Sequence, residues 1–402
     1  MCVLSLGAEL RPFLYIHIRK TAGTSLRTLL TNQFPVDRLL LNAHSVRGPQ
    51  EPGEAAFVTG HVAFDYVQRF TVRPTIFTVF REPISHALST YFFFRANDED
   101  FFQTVGRDWN EAELAARRRF TERARALDML SFLRTEEALA KRWLSNAQTC
   151  QLASCTHAER DNNRVLETAI ANLQTCDLVG TLEKINETLF VVGHHMRWGA
   201  VGPLQHLNAT RAEAVDRGCL DILRAWNPLD LQLYGAAAAL LDKRLELISK
   251  QPPAQVIPDL QTLPSAENFT PDMPIRGYGW HEREHHDGRW LCWTASETAT
   301  LQLAIRNSGA TRFRCLVSHA IGPDALAGLR MSLNSSALTL NCRRVDEGWL
   351  IESALPLGAM KETPGLASIA IHCPVMARPC DLDASSIDRR KLGVAIARIA
   401  LD

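Results

Sequence analysis

A short polar loop between an apolar run and an amphipathic segment carries the first residues that could do chemistry. The loop lies in YIHIRKTAGTSLRTLL and holds one lysine, one glycine and three hydroxyl residues: Lys20, Gly23, Thr21, Thr24 and Ser25. A strand that turns into a helix through such a loop presents backbone N–H groups and the positive end of the helix dipole to an anion. The pattern favours phosphate binding, and the alternative is an ordinary strand-to-helix turn with Thr24 or Ser25 as its N-cap.

The order of these residues differs from that of the usual ATPase or GTPase loop. In the GxxxxGK[ST] pattern the lysine follows the glycines, whereas here Lys20 precedes Gly23. A loop with this order therefore predicts an anion site of another kind, in which Lys20 supplies a point charge and Gly23 allows close approach of the backbone.

Two further segments carry side chains suited to the same site. In TIFTVFREPISHALSTYFFFR, Arg81 follows a buried strand and Ser89 stands eight residues later, so a helix beginning near Pro83 could bring both to one phosphate. The alternative is that Arg81 caps the sheet and Ser89 is a buried helix serine. In TGHVAFDYVQRF, His61 has a side-chain pKa near neutrality, which suits a general base. The alternative for His61 is a buried histidine bonded to backbone.

The combination resembles the sulfotransferases that use 3′-phosphoadenosine 5′-phosphosulfate (PAPS). KTAGTS resembles their 5′-phosphosulfate loop, and the Arg81 and Ser89 pair resembles their 3′-phosphate site. TGHVAFDYVQRF, TIFTVFREP, YFFFRAND and DLVGTLEKINETL are similar to the uronosyl 2-O-sulfotransferases and, more broadly, to membrane-type carbohydrate sulfotransferases and their bacterial relatives. The resemblance covers residues 12–210.

This resemblance implies an enzyme that moves a sulfuryl group from PAPS to a carbohydrate hydroxyl without a metal ion. It implies Lys20 and His61 as catalytic residues, with His61 as the general base. The residues that it implies for PAPS binding are Lys20, Thr21, Ala22, Gly23, Thr24, Ser25, Arg81 and Ser89. We also expect the polar loop 202–212 to close over the nucleotide, and Asn146 and Gln148 to line the site.

Three positions and the N-terminus depart from the family pattern. Arg19 replaces the usual proline, His86 stands where an arginine is frequent, and Thr59 stands where the 2-O-sulfotransferases often carry a second histidine. The opening MCVLSLGAELRP reads as neither a signal peptide nor a membrane anchor, so we expect a cytoplasmic protein. The tract from Gly279 to Trp293, together with the closing DRRKLGVAIARIALD, resembles β-sandwich modules of some bacterial glycan-building enzymes, and this resemblance implies a bacterial origin. The departures from the family pattern leave the acceptor sugar open. Two alternative functions also remain: an ATP-dependent phosphotransferase, or a non-catalytic glycan-binding protein on a decayed sulfotransferase fold.

The elements that must position these residues form two predicted domains. Residues 1–250 alternate strand and helix signals and contain the continuous apolar run TIFTVF, as in a buried parallel strand, which predicts a P-loop-like α/β domain with a central parallel sheet. Residues 251–274 are rich in proline and predict a linker. Residues 275–402 show short alternating runs, which predict an all-β, sandwich-like accessory domain.

Composition and charge bear on which partners and which kinds of cysteine site this protein has. The 402 residues are 46% hydrophobic, and Lys+Arg and Asp+Glu each total 44, so the balanced charge argues against nucleic acid as a partner. The ten cysteines include no CxxC pair, and the closest in sequence are Cys150/Cys155 and Cys373/Cys380. Neither zinc nor a disulfide framework is indicated, and we expect reduced thiols. The sequence leaves open whether the chain forms a homo-oligomer.

Overall fold

The computed structural model describes residues 11–44, 49–97, 111–156, 158–160, 162–198, 201–202, 214–250, 258–307, 309–356, 358–359 and 364–402. The chain divides into two compact units. The first comprises Met1–Ser25, Leu40–Thr188 and Gln205–Pro252, and the second comprises Leu26–Leu39, Leu189–Leu204 and Pro253–Asp402. Each unit is described by itself.

A five-stranded sheet lies at the centre of the α/β part. Its strands are β1 (Phe13–Ile16), β2 (Leu39–Leu40), β3 (Phe57–Gly60), β4 (Thr75–Phe80) and β5 (Leu178–Thr181), in the spatial order β2-β3-β1-β4-β5. The pairs β1/β3, β1/β4 and β4/β5 are parallel. Every residue of β1, β3 and β4 is buried, as expected for strands covered on both faces. The predicted parallel sheet is confirmed.

Helices follow these strands in the alternating pattern that parallel strands require. Their bounds are α1 (Gly23–Thr31), α2 (Pro83–Ala96), α3 (Glu111–Ala126), α4 (Met129–Thr135), α5 (Glu137–Leu144), α6 (Ala147–Ala153), α7 (Asn163–Thr175), α8 (Ile185–Met196), α9 (Arg217–Trp226) and α10 (Pro228–Ser249). α2 begins where it does because the carboxylate of Glu82 accepts from the backbone N–H groups of Ile84 and Ser85, and Pro83 occupies the first helical position.

In the part of the second unit that the structure describes, ten strands form two antiparallel sheets. The strands are β6 (Glu284–His286), β7 (Arg289–Trp293), β8 (Thr298–Ala304), β9 (Arg312–Ala320), β10 (Arg330–Leu333), β11 (Ser336–Ala337), β12 (Asn341–Val345), β13 (Gly348–Ala354), β14 (Leu366–His372) and β15 (Val394–Leu401), with short helices α11 (Pro323–Ala327) and α12 (Pro379–Leu382). The four-stranded sheet has the order β11-β10-β14-β8, and the six-stranded sheet has the order β12-β13-β9-β15-β7-β6.

The two antiparallel sheets share one hydrophobic core. Leu301 and Ile369 of the four-stranded sheet belong to the same buried cluster as Cys315 and Ile396 of the six-stranded sheet. Inward-facing apolar residues alternate with more exposed ones along β8 and β14. The predicted β-rich character of this region is confirmed, and its paired strands are antiparallel.

Part of the segment predicted to be a linker contributes to that core. Phe269 is buried in the shared cluster, and its N–H donates to the carbonyl of Ile399 at 2.9 Å. Ala266 is buried beside it, and its N–H donates to the carbonyl of Ala304 at 2.8 Å. Within the described residues 258–274 the chain forms no helix or strand, yet apolar residues that stand between the prolines pack into the core. Among the described helices, none is long and apolar enough to span a bilayer.

Candidate functional site

The three segments that carry the predicted site residues meet at one edge of the parallel sheet. The loop with Lys20 follows β1, His61 directly follows β3, and Arg81 directly follows β4. The strands β3, β1 and β4 are neighbours and run parallel. Their carboxyl ends therefore lie side by side, which is where open α/β sheets bind ligands.

The loop after β1 has an unusual backbone. Lys20 and Ala22 both have left-handed backbone angles, with φ of 63° and 60°. Such a conformation costs a residue with a Cβ about 1–2 kcal/mol and persists only where neighbouring contacts impose it. Two side chains supply those contacts. The hydroxyl of Thr21 donates to the carbonyl of Ile18 at 2.7 Å, and the Nε2 atom of His86 lies 2.8 Å from the carbonyl oxygen of Arg19.

These two hydrogen bonds indicate how Thr21 and His86 stabilise the loop. Because the Thr21 proton is donated within the loop, this hydroxyl shapes the loop in the structure described. A carbonyl oxygen can only accept, so Nε2 of His86 carries the ring proton. His86 thus stabilises the loop by donating a hydrogen bond to the carbonyl oxygen of Arg19.

Gly23 begins α1 at a place that has no room for a side chain. A Cβ atom there would lie 1.5 Å from Nε2 of His17. The His17 ring stacks on Tyr15 at 5.5 Å and contacts the His61 ring at 4.3 Å between centroids, so it cannot move aside without disturbing the site. The close approach brings the start of α1 against the His17 ring, and the first-turn N–H groups of a helix lack partners within the helix.

We expect Gly23→Ala to destabilise the protein by about 1–3 kcal/mol, the usual cost of overpacking. Chemical denaturation monitored by circular dichroism measures the change. Gly235→Ala in α10 is the matched control, since nothing lies within 4 Å of its added Cβ. Alanine there is expected to stabilise the helix by up to about 1 kcal/mol. Equal effects of the two substitutions would contradict the proposed tight contact at Gly23.

Two cationic side chains are found at the loop: Lys20 within it and Arg81 in contact with it. The Nη1 atom of Arg81 donates to the carbonyl of Lys20 at 3.1 Å. The Nζ atom of Lys20 lies 4.2 Å from the centre of the Phe93 ring. Burial, and then the positive charge of Arg81, lower the pKa of Lys20 to about 8. An anion bound beside Lys20 would offset both effects and keep the ammonium charged.

The backbone of Arg81 is held by a side-chain amide. Its N–H donates to Oε1 of Gln148 at 3.0 Å, and its carbonyl accepts from Nε2 of Gln148 at 2.8 Å. Gln148 lies in the first turn of α6, where the buried Asp230 caps the helix by accepting from the N–H of Thr149 at 2.7 Å. Gln148, expected to line the site, thus supports it through the main chain of Arg81.

Asn146, the other residue expected to line the site, supports the fold of α6 and α10. Its Oδ1 atom accepts from the N–H groups of Leu229 and Asp230, and its own N–H donates to Oδ1 of Asn227.

Residues 203–212 of the loop expected to close over the nucleotide lie outside the described residues.

His61 is held in one tautomer. Its Nδ1 atom lies 3.0 Å from the carbonyl oxygen of His17, so Nδ1 carries the proton and Nε2 keeps the lone pair. Its backbone N–H donates to Nδ1 of His44 at 2.9 Å. Burial, followed by the charges of His17, Arg19 and His44, holds the pKa of His61 well below its usual value. The neutral ring expected at neutral pH is the form that can accept a proton.

The remaining predicted residues lie on the helices that flank the loop. Ser89 is buried on α2, on the face that also carries His86 and Phe93, because these three positions follow the i, i+3, i+7 spacing of one helix face. His86 and Phe93 both contact the 19–20 loop segment. Thr24 is exposed in the first turn of α1, and Ser25 is buried there. No hydrogen bond within the described ranges joins the Ser89 hydroxyl to Arg81.

Sequence reasoning missed four residues that shape the site: His17, His44, Gln148 in its supporting role, and Gln151. The Nε2 atom of Gln151 donates to the carbonyls of His17 and Val62, at 3.0 and 2.9 Å. Each of these residues forms a hydrogen bond with a residue distant in the sequence, so no local motif identifies it. His17 follows the end of β1 and Gln148 lies in the first turn of α6, positions that a polar residue can signal. His44 and Gln151 occupy positions that carry no such signal.

Among the described residues, no group of three or more histidine, cysteine, aspartate or glutamate side chains is placed to hold a metal ion. The sequence matches no protein-family model, and comparison with curated proteins finds no significant match.

Proposed function

We propose that this protein is a PAPS-dependent sulfotransferase that sulfates a hydroxyl group of a carbohydrate. The observation that carries the proposal is the hydrogen bond from Arg81 to the Lys20 carbonyl at 3.1 Å, between motifs 61 residues apart. This bond joins the Arg81 guanidinium to the loop that carries Lys20, and His61 follows the neighbouring strand β3 at the same edge of the sheet. The two cations are suited to binding an anionic donor, and the neutral histidine is suited to taking the proton of an acceptor hydroxyl.

The proposed reaction is an in-line transfer. The acceptor oxygen attacks sulfur, the bond between sulfur and the bridging oxygen breaks, and 3′-phosphoadenosine 5′-phosphate leaves. Lys20 stabilises the negative charge that develops on the bridging oxygen. Nε2 of His61 takes the proton of the acceptor hydroxyl.

The rest of the loop and α2 hold the donor. The backbone N–H groups of residues 22–25 bind the 5′-phosphate at the helix N-terminus, with the hydroxyls of Thr24 and Ser25 beside them. Arg81 and Ser89 bind the 3′-phosphate. This assignment uses only cations, backbone donors and hydroxyls, so it requires no metal ion.

The test compares the thermal stability of the purified chain with 3′-phosphoadenosine 5′-phosphate, ATP and AMP. A ligand specific for the folded state stabilises it by about 2.7 kcal/mol at a hundredfold excess over Kd. We expect a selective increase in Tm with the 3′-phosphorylated nucleotide. An increase with ATP alone would favour a phosphotransferase, and no increase with any nucleotide would favour a glycan-binding protein.

Arg81→Ala is expected to weaken binding of 3′-phosphoadenosine 5′-phosphate by more than about tenfold, because a hydrogen bond to a charged group contributes about 1.5–3 kcal/mol. Isothermal titration calorimetry measures the change in Kd. Arg95→Ala, which removes an exposed arginine near the end of α2, is the control and should leave Kd unchanged. Equal binding by the Arg81 variant would remove Arg81 from the nucleotide site.

A further inference from the structure

The turn that ends α6 brings two cysteine sulfurs together. The Sγ atoms of Cys150 and Cys155 are in contact at 2.7 Å, so forming the roughly 2.05 Å bond of a disulfide requires a movement of less than about 1 Å. Ser154 adopts a left-handed conformation with φ of 57°, and the N–H of Cys155 donates to the carbonyl of Cys150 at 3.0 Å. The backbone itself therefore returns Cys155 to Cys150.

The other pair close in sequence is arranged differently. Cys373 is buried, and its Sγ atom contacts the carbonyls of Ala325 and Val375. The Sγ atom of Cys380 lies by a carboxylate oxygen of Asp381. Proximity in sequence alone thus does not produce the Cys150–Cys155 approach.

This turn also contacts the segment that follows His61. Gln151 donates to the carbonyl of Val62 at 2.9 Å, and the hydroxyl oxygen of Ser154 accepts from the N–H of Asp65 at 2.9 Å. Both residues lie between the two cysteines. A covalent link from Cys150 to Cys155 would fix the backbone that presents them.

We propose that Cys150 and Cys155 form a reversible intramolecular disulfide by exchange with a low-molecular-weight disulfide such as oxidised glutathione. The thiolate of one cysteine attacks the oxidant, releases one small thiol and forms a mixed disulfide. The second cysteine then attacks the protein sulfur of that mixed disulfide and releases the other small thiol. The two protein thiols lose two electrons and two protons, and the small disulfide is reduced to two thiols. This inference does not depend on the proposed function.

The environment predicts which sulfur reacts first and how pH affects the rate. Cys155 is partly exposed and Cys150 is buried, so the oxidant reaches Cys155 first. Burial, and then the hydrogen bond with Cys150, raise the pKa of Cys155 to about 12. Arg160 acts in the opposite direction, and Glu159 adds to the increase; Asp230 also raises the pKa of Cys150. Closure should therefore accelerate about tenfold per pH unit between pH 7 and 9, as the thiolate fraction grows.

The experiment equilibrates the full chain in glutathione buffers with increasing oxidised fraction, quenches with acid, alkylates free thiols and digests with trypsin. The peptide 143–160 contains these two cysteines and no other, and the peptide 331–343 contains the exposed Cys342 alone. We expect peptide 143–160 to lose both alkyl groups and two hydrogens while most glutathione is still reduced. Cys342, which has no second cysteine in its peptide, should gain a glutathione adduct only in more oxidising buffers.

One variant tests whether Cys155 reacts first with glutathione, and a reductant tests whether the disulfide is reversible. Cys150→Ser should accumulate a glutathione adduct on Cys155, since no second thiol resolves it. Dithiothreitol should restore both alkylation sites in the wild-type chain. If both cysteines are alkylated at every ratio, or if wild-type Cys155 accumulates glutathione without closure, the proposal is overturned.

Discussion

Replacing His61 by asparagine is expected to lower turnover by about 100-fold or more while leaving the Kd for 3′-phosphoadenosine 5′-phosphate unchanged. The loss follows from removal of the general base. Asparagine is chosen because its amide N–H can replace the Nδ1 donor to the carbonyl of His17. The local structure is therefore retained while the acceptor atom Nε2 is removed. Transfer of labelled sulfate from PAPS to a carbohydrate acceptor measures turnover, and calorimetry measures Kd.

His61→Gln serves as the companion variant, because its longer amide approaches the position of Nε2 but cannot act as a base. Both variants should lose turnover equally. A variant that retains wild-type turnover would exclude His61 as the base, whereas a parallel loss of nucleotide binding would assign it a structural role.

The pH dependence of kcat/KM checks the same assignment in the wild-type chain. The proposed reaction needs neutral His61, and burial together with the charges of His17, Arg19 and His44 lowers the pKa of this residue. Lowering the pKa of a base extends the neutral form to lower pH. We therefore expect kcat/KM to stay constant from about pH 7 to below pH 6.5 and to fall at lower pH only in more acidic buffer. On the alkaline side it should fall as the free enzyme loses the Lys20 proton, whose pKa is about 8. A fall centred near the ordinary histidine pKa would argue for a solvated base elsewhere.

Lys20→Met is expected to lower turnover by about 100- to 1,000-fold, the usual effect of removing one group that stabilises charge in the transition state. Methionine keeps most of the chain that packs near Phe93 and removes only the charge. Single-turnover kinetics separates this effect from donor binding.

Lys20→Gly provides the control for backbone effects. Position 20 has φ of 63°, which glycine adopts without penalty. The glycine variant should unfold with a free energy about 1 kcal/mol above that of the methionine variant, yet both should be equally slow. Turnover that recovers in the glycine variant would mean that backbone shape, and not the ammonium group, is what Lys20 supplies.

The sequence predicted the parts of this site whose residues are neighbours in the chain. The apolar run TIFTVF predicted β4, and the hydroxyl-rich loop after β1 predicted the strand-to-helix transition at Lys20. Hydrophobic burial and local backbone preferences determine such features, and both can be read in a short window.

The supporting contacts could not be predicted in this way. Gln148 bonds to the backbone of Arg81 from 67 residues away, and His44 accepts from the N–H of His61 from 17 residues away. A glutamine or histidine in these roles has no characteristic neighbours, because its partner is a main-chain group that every residue has. The buried Phe269 was missed for a related reason: single apolar residues among prolines produce no periodic pattern.

The paired hydrogen bonds from Gln148 have a consequence for how this site can change. They hold position 81 by its main chain, so the placement of that backbone does not depend on which side chain it carries. Position 81 is therefore suited to mutational libraries, in which new side chains would be presented to the proposed anion site on an unaltered backbone. Selection at this one position could retune donor preference, provided that Gln148 and its capping carboxylate Asp230 are left intact.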